Sequence, residues 1–385
     1  MKNKIIGFLI LVLFLIAPFI QSDTSDESQP DILLSIPPFI SVVAFYFRWF
    51  IFLFLALYFL LYTKFLKKFI TKYNILFFLF YLFPFLYSLV TLTDVPRYFS
   101  LLFFGFFLPI VITSEMKDNE GYFKFVNLQN VVLFFISLSI IVSYKTVLSG
   151  LRFQGMLGNA NMYGISAVFW MSLIQLCKKT KFNLVLTILI FITIVLSGSR
   201  GSLLAGIVVI FLSYSNYIKK LLLGSVLVLS TFAIISNFLN LDFILNRFDN
   251  ISESAKESGR QEIWDKAFLY VNMNPLGNGM NAPLELVGSG NVHNCYVRFL
   301  LTMGYPFTII TLLFFALIIF FAWKDKKVPR PLVGFLIGYV LANFGEDFYV
   351  GIGSSMFIYV ILTIGLISYF SLIKNKYEYS SLAHL

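Results

Sequence analysis

"FLLTMGYPFTIITLLFFALIIFFA", residues 299–322, runs for twenty-four positions without a charged side chain. A helix rises 1.5 Å per residue, so this stretch is long enough to cross the ~30 Å hydrocarbon core of a bilayer. It is bounded by "NVHNCYVR" (291–298) on one side and "WKDKKVPR" (323–330) on the other. One flank carries His, Asn and Arg, while the charged residues of the other are mostly lysine. Reading outward from that contrast decides the fold.

Comparable apolar runs recur along all 385 residues, 59% of which are hydrophobic and 12% charged, with a mean hydropathy of +0.85. A soluble domain carries roughly 25% charge, and this chain has too few polar residues to cover a globule. We expect an all-α polytopic membrane protein with one integral membrane domain over 1–385. Twelve spans are predicted, near 5–20, 39–62, 73–90, 98–113, 125–144, 163–177, 182–198, 201–214, 221–238, 299–322, 331–348 and 355–373.

The net charge of +10 divides unequally between the two sets of connections. One set ("TKFLKKFITK", "KDNEGYFK", "CKKTK", "IKK", "WKDKKVPR", "KNK", with Lys2 and Lys4) holds 19 basic residues, 18 of them lysine. Lysine-rich connections stay in the cytoplasm, so both termini are expected there, and the basic excess marks topology, not nucleic acid. The other set holds seven of the eight arginines: Arg48, Arg97, Arg152, Arg200, Arg247, Arg260 and Arg298. A guanidinium grips phosphate or carboxylate with a planar fork of donors, whereas a lysine is a hydrated point charge. The skew predicts an anionic ligand on the external side.

Residues 1–20 resemble a signal peptide, but Pro18 and the lack of a small-residue cleavage site favour an uncleaved first span. Cys177 and Cys295 fall at opposite membrane faces and cannot pair. The one long connection, about 239–298, is expected outside, and irregular backbone there must fold against water or protein. Within it, "SGRQEIWDKAFLYVNMNP" predicts an amphipathic helix over about 259–273, with Ile263, Trp264, Ala267, Phe268 and Val271 on one face and Ser258 with Gln261 as a capping box. Arg260 stands in its first turn, where the helix dipole disfavours a cation. An anion shared by Arg260 and the helix N-terminus would resolve that conflict.

Four external positions carry chemistry: Arg152 before the Asn-rich "GNANMYG", Arg200 between Gly198 and Gly201, Arg260, and His293 in "HNCYVR". Bland readings exist for each. Arg152 and Arg247 would suit lipid phosphates, Arg200 would snorkel, and His293 would serve as a structural histidine. "PLGNGM" lacks the strand and the glycine spacing of a dinucleotide loop. No P-loop or D-x-D pair appears, and one histidine with no cluster of acidic and cysteine partners makes a poor metal site, so no cofactor is expected.

The order of these motifs, R…G-N-x-N, S-G-S-R-G-S-L-L, G-R-x-x-I-W, then H-N followed by Gly304, resembles the O-antigen polymerase and O-antigen ligase superfamily over about 150–305. The resemblance implies a metal-independent, inverting glycosyltransferase of the GT-C type, with an undecaprenyl-diphosphate-linked oligosaccharide as donor and a glycan as acceptor. It assigns Arg200 (with Leu204) and Arg260 to the diphosphate, and His293 to the family's H-N histidine. One departure stands out: the ligase pattern has a second glycine where this chain has Phe307.

On that resemblance Arg200, Arg260 and Arg152 would bind the diphosphate through charge-assisted hydrogen bonds. His293 would take the proton of the attacking hydroxyl, as imidazole does near neutral pH, with Asn294 and Asn161 in support. The expected activity is polymerisation of surface polysaccharide, with transfer to lipid A-core as the alternative and a chain-length regulator as a further partner. A transporter is the rival class. It would place paired charges in midplane helices, and these spans contain few.

Overall fold

The computed structural model describes residues 2–19, 38–118, 125–149, 151–157, 159–177, 180–214, 260–288, 292–347 and 354–373, and among them all regular structure is helical. In lipid every backbone polar group needs a partner within the protein, and a helix supplies those partners from its own segment. The principal helices are α1 (Lys2–Ile16), α2 (Pro38–Leu61), α3 (Lys72–Thr91), α4 (Val95–Asp118), α5 (Phe125–Leu148), α6 (Ala160–Ile174) and α7 (Lys181–Leu196). They continue as α8 (Arg200–Tyr214), α9 (Arg260–Met273), α10 (Ala282–Val287), α11 (Cys295–Lys324), α12 (Arg330–Ala342) and α13 (Ser355–Leu372). Short polar residues start several of them. The side chains of Thr71, Asn159, Thr180, Asn294 and Ser354 accept from first-turn amides of α3, α6, α7, α11 and α13.

Five helices (α2, α3, α4, α11 and α13) are long and apolar enough to cross a membrane, and six shorter apolar helices accompany them. The chain is a multi-pass helical membrane protein. The ninth predicted span, 221–238, lies outside the described residues, as do Arg247 and Ser258. Helices α6 and α13 are buried on all sides, which is the pattern of helices in the middle of a bundle.

Two apolar helices gain nothing from leaving lipid for each other, so close approach of small residues holds them together. Helices α8 and α12 meet in that way. A methyl group added at Gly201, Gly338 or Gly334 would lie 3.1, 2.9 or 3.0 Å from the Cα of Ala342, Ala205 or Val209. This seam fixes Gly201 against Ala342, the last residue of α12. Gly338→Leu should force the two helices apart and cost about 1–3 kcal/mol as an overpacked contact. The check is a lowered midpoint in thermal unfolding of the detergent-solubilised chain.

Three expectations are corrected. The eleventh segment was read as 331–348, but α12 ends at Ala342 and the chain turns through Asn343–Gly345, with the Gly345 amide donating to the Ala342 carbonyl. Glu346 and Asp347 therefore follow the helix. On α9, Phe268 is exposed while Ala267 and Val271 are fully buried and Tyr270 is half-buried. Position 268 is rotated 100° from 267, so Tyr270, three residues on, takes the inner place. Arg48 does not lie in a connection. It is buried ten residues into α2, its guanidinium 4.1 Å from the Phe45 ring centroid and 5.2 Å from that of Trp49.

The two ends of the bundle differ chemically. At one, lysine-bearing connections meet: the Tyr73 hydroxyl donates to Asp325 at 3.3 Å, and Thr71 bonds Ser368 at 2.8 Å. At the other, connections bearing arginine and asparagine come together.

Candidate functional site

Three separate parts of the chain converge on Gly345–Glu346–Asp347. The first is the connection between α5 and α6 with the start of α6. Arg152 lies there in irregular chain, its Nε donating to the Ser197 carbonyl at 2.7 Å and one terminal nitrogen to Asn161 Oδ1 at 2.6 Å. Asn161 sits in the first turn of α6, its own amide capped by Asn159, and its Nδ2 donates to Glu346 Oε1. Arg152 therefore reaches Glu346 through Asn161.

The second part is α9. Arg260, its first residue, donates to the Gly345 carbonyl at 3.1 Å and places its other terminal nitrogen 3.8 Å from Glu346 Oε1. That second distance is an ion pair without a short hydrogen bond. Both side chains keep partial exposure, 23% and 19%. One carboxylate oxygen is thus bracketed by Asn161 on one side and Arg260 on the other.

The third part is the start of α11. Its Cys295 amide donates to the carbonyls of Asn343 (3.1 Å) and Glu346 (3.0 Å), clamping α11 to the same segment. Asn294 caps α11 by accepting from the Tyr296 and Val297 amides at 3.0 and 3.2 Å. The oxygen of Asn294 is therefore committed to holding the helix. His293 precedes it in the left-handed region, φ +53°, which few non-glycine residues adopt and histidine adopts more than most. Its neighbour Val292 is held by the Trp264 indole of α9, which donates to the Val292 carbonyl at 2.9 Å. His293 is half-buried and stands at the corner where α9, α11 and the 343–347 turn meet.

Arg200 opens α8 at this same end. It lies three residues after the Ser197 carbonyl that binds Arg152, and its neighbour Gly201 is seated on Ala342. The structure thus brings Arg152, Asn161 and Arg260 onto Glu346. It sets His293 and Asn294 beside that group through backbone, and Arg200 beside it through the α8–α12 seam.

Next in sequence to Glu346, Asp347 pairs with Arg298, both largely buried at 5% and 12% side-chain exposure. Burial pushes the Asp347 carboxyl up from its ordinary value, against the opposing pull of Arg298 and Arg97. Arg97 itself pairs with Asp94 at 3.3 Å. Breaking a buried pair leaves an uncompensated charge, so Arg298 and Asp347 hold the turn in place.

Glu346 and Asp347 were absent from the sequence-derived set because they were counted inside an apolar span. Two adjacent carboxylates at the end of such a run, in "NFGEDF" (343–348), are the signal that would have marked them, since charge within a span usually faces a partner.

Fold and site together define a multi-pass helical membrane protein with an arginine-bearing polar group at one end of its bundle. Residues 185–312 match the family model described as O-antigen ligase. The match includes Arg200, Arg260 and His293, and it supports the O-antigen polymerase and ligase superfamily, a group of membrane enzymes that act on lipid-linked glycans. Among curated proteins, none matches the chain.

Proposed function

We propose that this chain is a surface-polysaccharide polymerase. It joins undecaprenyl-diphosphate-linked oligosaccharide repeat units at the outer face of a bacterial inner membrane by inverting, metal-independent glycosyl transfer. The observation that carries this reading is the bracketing of one anionic oxygen, Glu346 Oε1, by Arg260 and the Arg152–Asn161 pair. A place that holds a carboxylate oxygen between two arginine-bearing elements suits a phosphate oxygen as well. The proposed arrangement has twelve spans in a GT-C-like bundle, with lysine-rich connections and both termini in the cytoplasm.

In the reaction an acceptor hydroxyl oxygen attacks the anomeric carbon of the donor sugar as the bond from that carbon to the diphosphate oxygen breaks. The hydroxyl proton passes to His293. The negative charge growing on the departing lipid diphosphate is met by Arg260, Arg200 and Arg152, whose attraction rises as the charge develops. Asn161 fixes the Arg152 fork. Asn294 fixes the start of α11 and with it the position of His293.

Purified chain in nanodiscs, given the lipid-linked repeat unit, should form longer glycans. His293→Ala should slow elongation by about 10²–10⁴-fold, the usual contribution of a positioned base. Elongation at the normal rate in that variant would remove His293 from the mechanism. The description of the matched family favours a second reading, transfer of the finished glycan to lipid A-core. A deletion strain separates the two: loss of a polymerase leaves single repeats on the core, and loss of a ligase leaves long chains on the carrier. A chain-length regulator is the further partner proposed for the polymerase.

A further inference from the structure

Helix α11 is broken at Gly304, whose φ of +69° and ψ of −177° are not helical. In an unbroken helix the amides of residues 305 and 306 would bond the carbonyls of 301 and 302. Here Pro306 has no N–H, and the Tyr305 amide turns away to donate to the Pro275 carbonyl at 2.9 Å. The two released carbonyls are met by the chain that follows α9. Asn278 donates its backbone amide to Leu301 and Thr302 at 3.1 Å, and Gly279 donates to Thr302 at 3.1 Å. The Asn278 side chain adds a bond to Leu301 at 3.1 Å. Residues 274–279 are thus stitched into a membrane span, with backbone groups satisfied as non-helical chain at a membrane boundary requires.

The break lies twenty residues from Lys324, and the intervening helix is about 30 Å long, the thickness of a hydrocarbon core. Trp323, 44% exposed, and Lys324 mark one interface, so Gly304 falls at the other. Around it large apolar side chains are exposed, with Asn272, Asn274 and Asn281 as the exposed polar residues between them. Leu276 is 68% exposed beside Tyr305 and continues the exposed Ile309 of α11. Helix α9 changes character along its length. Its first half exposes Gln261, Glu262, Asp265 and Lys266, and its second half exposes Phe268, Leu269 (59%) and Met273 (73%), with Asn272 the one exposed polar residue among them. Leu284 of α10 adds to the same region at 66%.

We infer that residues 268–284 form an interfacial wedge seated among the acyl chains of the leaflet at this end of the bundle. The first turn of α9, with Arg260, stays in the polar site. The occupant of the apolar face is bilayer lipid, because that face is continuous with a lipid-facing span and lies at the end of the hydrocarbon core. A soluble partner would meet it only at the membrane. The inference holds whether or not the chain transfers sugar, and it places the lipid phase within one helix length of Arg260.

The test is photocrosslinking of the full chain in vesicles of phosphatidylethanolamine and phosphatidylglycerol, with benzoylphenylalanine substituted singly for Leu269, Met273, Leu284 or Glu262. Intact-mass spectra should show phospholipid adducts at 269, 273 and 284 at least ten times more abundant than at 262. Equal labelling at 262 and 269, or absence of adducts at all positions, would overturn the inference. Crosslinked dimers from 269 and 273 would overturn it in favour of a second copy of the chain. A variant that fails to elute as the native species is replaced by one carrying the probe at Leu276, and the same comparison with 262 decides.

Discussion

Replacing Arg260 with alanine should reduce glycan elongation by about 10²–10³-fold, the size expected when one preorganised donor to a developing negative charge is lost, while leaving the fold intact. The two halves of this expectation rest on different distances. For stability, the Arg260–Glu346 pair is long at 3.8 Å and partly exposed, and such pairs contribute about 0–1 kcal/mol. The hydrogen bond to the Gly345 carbonyl adds about 1 kcal/mol. For catalysis, the proposed transition state carries a diphosphate charge that Arg260 alone among the residues of α9 is placed to meet. Arg260→Lys should recover little, because an ammonium cannot bond the Gly345 carbonyl and a phosphate in the same planar fork. Turnover of a lipid-linked repeat, measured beside the unfolding midpoint, checks both halves. An Arg260→Ala chain that keeps its midpoint and its elongation rate would remove the diphosphate role from this residue.

Gly304→Ala should be one of the most damaging glycine-to-alanine changes among the described residues. The backbone there, φ +69° and ψ −177°, belongs to a region essentially reserved for glycine. An added Cβ would lie 2.2 Å from the Pro275 oxygen and 2.6 Å from the Gly277 nitrogen, both backbone atoms that cannot swing aside. Strain and overlap together should cost roughly 3–5 kcal/mol. They should also release residues 274–279, exposing that loop to limited proteolysis between α9 and α10. Gly279→Ala is the matched comparison. Gly279 also has positive φ, +92°, but its Cβ would meet nothing within 4 Å, so its cost is about 1–2 kcal/mol of backbone strain alone. Equal losses for the two variants would show that the contact with Pro275–Gly277 is not what holds the break.

Among the described residues hydropathy alone placed the apolar helices, because a span must be apolar for its full length whatever it packs against. It failed at 331–348 for the same reason: an eighteen-residue reading averages two carboxylates into a run of leucine and valine and cannot see the helix stop at Ala342. Gly304 was legible as a motif glycine, yet the chain that docks on it, 274–279, is some thirty residues earlier, and no local pattern links a proline carbonyl to a broken helix. Phe268 was misassigned on a wheel because its side chain and that of Tyr270 flank the same inner face, and only the neighbours decide which one is covered.

What the sequence determined by itself is what each segment requires of its surroundings: apolar runs need lipid or one another, lysines hold connections on one side, and arginines need anions. What the tertiary structure decided is which of those requirements meet. Arg152, Arg260 and the chain around His293 span about 140 residues of sequence and find their common partner in Glu346, a residue that looks like part of a membrane span until α8 and α12 close on their glycine seam and the helix stops at Ala342. Convergence of that kind depends on helix packing at distances of a few ångströms, and packing is a property of pairs of surfaces, which no single stretch of chain contains.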